Sequence, residues 1–292
     1  MSAPDPLFAV SRSTRLSPRQ RTLIEQWEPT AELVADLSWR LGGTTVLLAR
    51  AGDTEIVVKA GERGDLNVTR EIEGREHWAG VWVELGVAAK TLHADSDANI
   101  LLLEHLPGDL IAGSEAAIDP EVHRRAGELL RVFHDQRAID PADSDEEETR
   151  RASAWLDSAH RIDADAVQRL RYALSVLPGV TAPLVPTHGD FQPRNWLLDD
   201  GEVRFVDFGR FGHRAAATDF ARMAAQEWLQ NPACETAFIE GYGIDPRDNQ
   251  EWLMIRLRQA IETAAWAYQA GDPAFEQQGL RMVDEVLEDL EL

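Results

Sequence analysis

The stretch His188-Gly189-Asp190-Phe191-Gln192-Pro193-Arg194-Asn195, followed by Val206-Asp207-Phe208-Gly209, sets an Asp, an Asn beyond four intervening residues, and a second Asp close together in the chain. Phosphoryl transfer from a magnesium nucleotide needs such a set: a carboxylate at the acceptor hydroxyl, and an amide and a carboxylate on the metal. In this reading Asp190 orients the hydroxyl and takes its proton, and Asn195 and Asp207 hold Mg2+. Magnesium takes a few protein oxygens and completes its octahedron with water and phosphate. An Asn and an Asp supply one neutral and one charged oxygen, so the pair need not repel the phosphates. Asp207 follows Val203-Arg204-Phe205-Val206, where an unpaired carboxylate would be costly and a cation would offset that cost. His188 reads as a brace for the loop rather than a catalyst. His-Gly-Asp alone is turn composition; the spacing to Asn195 and Asp207 gives it meaning.

These residues need a hairpin to meet. Trp196-Leu197-Leu198 is a short apolar strand, Asp199-Asp200-Gly201 is turn chemistry, and Val203-Arg204-Phe205-Val206 alternates like a returning strand. Such a hairpin brings Asn195 and Asp207 to neighbouring strand ends.

Upstream, Ser17-Pro18-Arg19-Gln20 has the capping-box pattern of a helix start, with the helix running to Trp27. Leu33 to Ala60 reads as a meander with Gly42-Gly43 in a turn placed to cover nucleotide phosphates. Its last strand ends at Lys59, one of only two lysines beside Lys90, every other basic residue being arginine. A compact ammonium on a flexible stem is suited to gripping phosphate oxygens. Lys59 needs a carboxylate to hold it, and Glu71, Glu73 and Glu76 lie on the next predicted helix, Thr69 to Leu85. Glu71 fits best along that helix, although Glu71 and Arg75 also have the spacing of a surface ion pair. Ile100 to Glu104 reads as a buried strand, and Glu104 to Leu106 offers backbone groups to an adenine ring. Leu106-Pro107-Gly108 marks a lobe boundary, dividing the chain into a nucleotide-binding part, 1–105, and a helical part, 106–292, that carries the catalytic loop, metal site and acceptor pocket.

Beyond the boundary the periodicity is helical: Pro120 to Gln136, Thr149 to His160, Ala164 to Leu177, Asp219 to Gln230, Ala233 to Gly241, Pro246 to Ala270, and Pro273 onward. Asp143 to Glu148 is nearly all acidic and reads as an exposed linker. The fold class expected is α+β, a small β-rich lobe followed by a larger mostly helical one.

Composition bounds the partners. The net charge of -22 argues against nucleic acid and favours the approach of a cationic small molecule. No apolar run nears the ~20 residues of a membrane span, so no membrane association is expected. The single cysteine, Cys234, excludes an internal disulfide. With no apolar stretch of signal-peptide length near Asp5, a cytoplasmic location is expected.

Taken together, these residues resemble the aminoglycoside phosphotransferase and choline kinase family, a branch of the bilobal protein-kinase-like fold. His188-Gly189-Asp190 through Asn195 is similar to that family's catalytic loop, with Gly where protein kinases usually have Arg. Asp207-Phe208-Gly209 resembles its metal-binding segment, and Val57-Val58-Lys59 with Glu71 its lysine–glutamate pair. Asp219 resembles a family Asp that braces the catalytic loop, although a helix N-cap accounts for it equally well. The resemblance implies ATP or sometimes GTP, magnesium, and a small hydroxylated or aminated acceptor held by the helical lobe. Glu227, Glu235, Glu262, Trp266 and Tyr268 are candidates to line its pocket, while Trp252, Trp266 and Tyr268 also have the spacing of core residues. One departure is Arg210-Phe211-Gly212-His213-Arg214, basic where a cationic drug would want acid, which weakens an antibiotic assignment. The alternative, a nucleotide-binding pseudokinase without turnover, is opposed by the intact set of Lys59, Glu71, Asp190, Asn195 and Asp207.

Overall fold

The computed structural model describes residue 10 and residues 13–39, 43–62, 64–140 and 144–290. The chain forms two compact units, Met1–Gly113 with His188–Gly212, and Ser114–Thr187 with His213–Leu292.

The first unit opens with α1 (Pro18–Trp27), started by the expected capping box: Ser17 Oγ accepts from the Gln20 amide, and Gln20 Oε1 accepts from the Ser17 amide at 2.9 Å. Then come β1 (Glu32–Asp36), β2 (Thr45–Ala51), β3 (Thr54–Ala60), α2 (Leu66–His77), α3 (Gly80–Glu84), β4 (Thr91–Asp95), β5 (Ile100–Glu104) and β6 (Asp109–Leu110). The sheet runs β1-β2-β3-β5-β4, antiparallel throughout. Period-2 alternation turns Leu47, Ala49, Ile56, Val58 and Leu102 onto Ile24 of α1. Leu101 and Leu103 point to the opposite face, against Val68 and Ile72 of α2. β5 is thus covered on both sides, which is why its run of Ile and Leu lacks alternation. β4 was not legible in advance, because its mostly exposed Thr-Leu-His-Ala-Asp at the sheet edge has no buried face to pattern it.

The helix expected over Thr69 to Leu85 is two helices. α2 ends at Trp78, whose φ of -131° leaves the helical region, and α3 then carries the fully buried Trp82. The hairpin of β8 (Trp196–Asp199) and β9 (Glu202–Phe205) also belongs to this unit rather than to the helical one. The cause is backbone pairing: β6 pairs with β8, and Ala88 bridges Phe205. The boundary therefore falls after Gly113 and not at Leu106.

The second unit holds α4 (Pro120–His134), α5 (Ser144–Asp157), α6 (Ala164–Val176), β7 (Leu184–Thr187), β10 (Gly212–Ala215), α7 (Ala221–Ala224), α8 (Glu227–Gln230), α9 (Pro232–Tyr242), α10 (Asn249–Ala270) and α11 (Pro273–Asp289). Leu257 and Ile261 of α10 pack with Val283, Val286 and Leu287 of α11 and Leu170 of α6 in its core. The acidic segment expected as a linker is helical from Ser144, while Asp143 lies outside the described residues. Asp145, Glu146 and Glu147 occupy the first turn of α5, where the helix dipole favours negative charge. Asp145 also accepts from Arg258 Nη2 at 2.7 Å and the Val180 amide at 2.8 Å. The stretch from Asp219 to Gln230 is broken as well: a 3-10 turn (Ala216–Phe220) precedes α7 and α8.

Candidate active site

The loop from His188 to Asn195 stands on an aromatic platform within the first unit. Trp82 of α3 packs 4.5 Å from Phe205, 5.6 Å from Phe208 and 6.1 Å from Phe191, between ring centroids. His188 is fully buried among them, 4.9 Å from the Phe208 ring, and its Nε2 lies 3.1 Å from the Val206 carbonyl. A carbonyl can only accept, so Nε2 carries the proton. His188 is a brace, as its sequence context suggested. Gly189 has φ +80°, and a Cβ there would stand 2.0 Å from the Arg210 carbonyl oxygen. Only glycine fits between the loop and the segment that follows Gly209.

This scaffold sinks Asp190 to 3% exposure. Its carboxylate accepts from Gln192 Nε2 at 2.6 Å on Oδ1, and from Arg194 Nη2 at 2.7 Å and Asn195 Nδ2 at 2.9 Å on Oδ2. Asn195 Nδ2 also reaches the Asp190 carbonyl at 2.8 Å. With its nitrogen committed to Asp190, the Asn195 amide has Oδ1 left for a cation. The hairpin works as expected: the Val206 amide donates to the Asn195 carbonyl at 3.0 Å, and Trp196 pairs with Phe205, so Asp207 follows one residue beyond the partner of Asn195.

Asp207 adopts φ +70°, a left-handed conformation that side chains avoid and that persists only where surroundings over-determine it. Its side chain is 52% exposed, and Oδ1 accepts from Lys59 Nζ at 3.2 Å. The Lys59 ammonium holds the Asp207 carboxyl below its ordinary range, against the repulsion of Asp190. Lys59 in turn donates to Glu71 Oε2 at 2.6 Å. Burial alone would depress the Lys59 ammonium; the Asp207 and Glu71 carboxylates outweigh it and raise its pKa. Glu71, 1% exposed, also takes Arg75 Nε on Oε1 at 2.9 Å, so the Glu71–Arg75 pair is internal rather than a surface pair. Arg75 is anchored further by the Ala89 carbonyl at 3.0 Å and lies 4.7 Å over the Phe208 ring. Lys59, Glu71, Asp190, Asn195 and Asp207 are therefore brought together from β3, α2, the His188–Asn195 loop and the segment that follows β9.

The donor set suits magnesium. Among the described residues no group of three or more His, Cys, Asp or Glu forms a protein cage for a metal. An exposed Asp207 carboxylate and an Asn195 amide oxygen are what a cation that also needs phosphate and water would use.

The other nucleotide candidates are less defined. Gly43 lies 3.9 Å, measured from an added Cβ, from Asp65 Oδ2, which also accepts from Thr44 Oγ1 at 3.0 Å; Gly42 lies outside the described residues. The Glu104 amide donates to the Lys90 carbonyl at 3.0 Å, so only its carbonyl is left for an adenine edge. Leu106 packs against Val68, Ile72 and Leu103.

Residues 43–258 match the profile of the phosphotransferase enzyme family APH. The chain belongs to that family. It is 32% identical over 195 residues to an aminoglycoside 3'-phosphotransferase of Streptomyces fradiae, a match covering 56% of this chain and 68% of that protein. In structure it is similar to the choline kinase of Streptococcus pneumoniae, with a TM-score of 0.63 and 15% identity over 94% of this chain and all of that one (100%). An aminoglycoside phosphotransferase solved with ADP and hygromycin B gives a TM-score of 0.60 at 15% identity, over 93% of this chain and 98% of the other. The fold is thus the protein-kinase-like one, and the protein is a kinase-like small-molecule phosphotransferase.

The second unit of this phosphotransferase, taken by itself, holds a buried hydrogen-bonded chain and a cavity. Asp219 sits in the 3-10 turn and does not cap α7; His134 Nε2 lies 3.1 Å from its Oδ2, and His134 Nδ1 lies 2.8 Å from the Tyr242 hydroxyl. A cavity of about 230 Å³ is lined by Glu235 and by Trp228, Arg247, Trp252 and Gln259, none but Glu235 among the acceptor candidates. Glu227, Glu262, Trp266 and Tyr268 do not line it: Trp266 packs on Phe275 and Tyr268 lies under Arg161. Sequence reasoning missed Gln192 and Arg194 as partners of Asp190. Among the described residues no helix is long and apolar enough to cross a membrane.

Proposed function

We propose that this protein moves the γ-phosphoryl group of ATP, in an Mg2+-dependent reaction, to a hydroxyl of a small molecule such as an aminoglycoside, amino sugar or amino alcohol. The observation that carries the reading is the chain of contacts Glu71–Lys59–Asp207, beside an Asp190 whose carboxylate is held by three side-chain donors.

Asp190 orients the acceptor hydroxyl and takes its proton as the oxygen attacks phosphorus. The donors on its carboxylate fix its direction, which is most of what a positioned base contributes. Lys59 grips the phosphates, and Glu71 keeps its ammonium from turning away. Asn195 Oδ1 and Asp207 would hold magnesium, which when bound draws negative charge off the phosphates. The carbonyl of Glu104 and the backbone of Leu106 offer the edge for a purine, and Gly43 the backbone near the phosphates; GTP presents a different edge to the same groups.

The net charge of -22 favours a cationic acceptor, and the relatives named above for aminoglycosides and choline support the same class. The test is ADP release from Mg-ATP against a panel of aminoglycosides, amino sugars, choline and amino alcohols. Acceptor-dependent turnover with at least one class is expected; tight Mg-ATP binding with no transfer to any would overturn the reading in favour of a non-catalytic nucleotide binder.

A further inference from the structure

Among the side chains seen to donate to Asp190, Gln192 and Asn195 are interior and Arg194 is not. Gln192 and Asn195 are 2% and 6% exposed, whereas the Arg194 side chain is 38% exposed. The Arg194 guanidinium is thus the donor nearest solvent, with Nη2 2.7 Å from Oδ2. The same guanidinium lies 5.9 Å over the ring of Trp39, in the segment between β1 and β2. A guanidinium that lies over an indole face and is bonded to a carboxylate is held on two sides.

We infer that Arg194 is a cap on the catalytic carboxylate, closing Oδ2 to water until an acceptor bound elsewhere displaces it. The inference rests on the reading of Asp190 as the group that takes the acceptor's proton. The physical basis is the asymmetry between acceptors. A charge-assisted bond is among the stronger hydrogen bonds a carboxylate makes. A lone water has only that one interaction to offer in exchange. A small molecule anchored by its remaining groups can spend remote binding energy on displacing the guanidinium. The reaction suppressed is hydrolysis: the water oxygen bonds to the γ-phosphorus, the bond from that phosphorus to the β–γ bridging oxygen breaks, ADP leaves, and the water proton passes to Asp190 and then to solvent. In transfer the acceptor oxygen takes the place of water. Lysine at position 194 would keep the charge but lose the planar fork that bonds Asp190 while lying over Trp39.

The experiment follows ADP formation from Mg-ATP with water as the sole acceptor, in full-length Arg194→Met, Arg194→Lys, Trp39→Ala, Asp190→Ala and the double variant Arg194→Met/Asp190→Ala. Circular dichroism checks that each is folded, and Arg194→Gln replaces Arg194→Met should the latter fail. Arg194→Met is expected to hydrolyse ATP about tenfold faster than the parent, with KM for ATP within about twofold. Arg194→Lys and Trp39→Ala fall between the two. In the double variant the increase disappears, because no carboxylate remains to be uncovered; a merely structural arginine would leave that difference in place. Unchanged or slower hydrolysis in Arg194→Met, with Asp190→Ala slower than the parent, overturns the cap alone. Hydrolysis in Asp190→Ala equal to the parent overturns both the cap and the reading of Asp190 beneath it.

Discussion

Lys59 Nζ lies 2.6 Å from Glu71 Oε2, and the other oxygen of that carboxylate is taken by Arg75. One buried anion therefore serves two buried cations. Neither cation can be left alone cheaply, because the interior charges a desolvation penalty that the shared carboxylate offsets. The arrangement ties β3 to α2 and aims the ammonium at Asp207.

Glu71→Ala is expected to destabilise the first unit by about 3–5 kcal/mol, the usual cost of stranding a partner of a buried ion pair. Glu71→Gln, which keeps an oxygen for one cation, costs less. Urea unfolding followed by tryptophan fluorescence reads both, and an Ala variant within 1 kcal/mol of the parent, roughly the worth of an exposed pair, would show that the pair is not structural.

Asp190→Ala removes the group assigned to the acceptor proton and leaves Lys59, Asn195 and Asp207 in place. Transfer to the best panel acceptor should fall by about 10²–10⁴, the span of a positioned general base. Mg-ATP affinity, measured by calorimetry, should stay within a few-fold. Full turnover in this variant is the result that sinks the catalytic assignment.

Much of this site was legible because its chemistry is local. The hairpin is encoded by Trp196-Leu197-Leu198, the Asp-Asp-Gly turn and Val203 to Val206, so Asn195 and Asp207 are set near one another without long-range information. Lys59 and Glu71 were found by position on predicted elements. What stayed hidden depends on three-dimensional company. The helix break at Trp78 follows from the need to bury Trp82 under Phe205 and Phe208, partners more than 100 residues away. The placement of the hairpin with the first unit follows from the pairing of β6 with β8, and two-residue β6 has no pattern of its own. The acidic run reads as a solvated linker because the bonds of Asp145 to Arg258 and to the Val180 amide, which tie it to distant parts of the chain, leave no local trace.

Asp207→Ala tests the metal site. The Kd for Mg-ATP should rise tenfold or more, an effect of at least about 1.4 kcal/mol. Affinity for ATP in the presence of EDTA should change far less, or tighten as a negative charge leaves the phosphate side. Equal losses with and without magnesium would assign Asp207 to holding Lys59 instead.

Gly189→Ala places a methyl where the Arg210 carbonyl oxygen stands 2.0 Å away, on a backbone with φ +80°. The loop has to shift, and Asp190 is the next residue. Left-handed strain alone costs about 1–3 kcal/mol, so the melting temperature should drop by several degrees. The rate should fall with it, by at least 10-fold, since small misplacements of a catalytic group are expensive. Gly201→Ala, also left-handed at φ +85° but with nothing within 4 Å of an added Cβ, is the control for backbone strain without the clash. Equal losses of activity in the two would deny Gly189 a special role in placing Asp190.

The last expectation concerns pH and the second unit. His123 is fully buried, with Nε2 2.9 Å from the Ala117 carbonyl and Nδ1 accepting from Trp228 Nε1 at 3.3 Å. Burial holds its imidazole below the ordinary 6.5. The folded state therefore keeps the ring neutral at a pH where the unfolded chain already binds a proton. Stability is full above about pH 6.5 and declines as pH falls below it, by at most about 1.4 kcal/mol per pH unit for this one group, until the folded-state pKa is reached. Protonation would also turn Nδ1 from an acceptor into a donor facing the Trp228 N–H. His123→Gln should lower stability at neutral pH through lost packing, yet flatten the decline between pH 6.5 and 5. Unfolding free energies of both proteins across that window decide it, and parallel pH profiles would assign the decline to other groups.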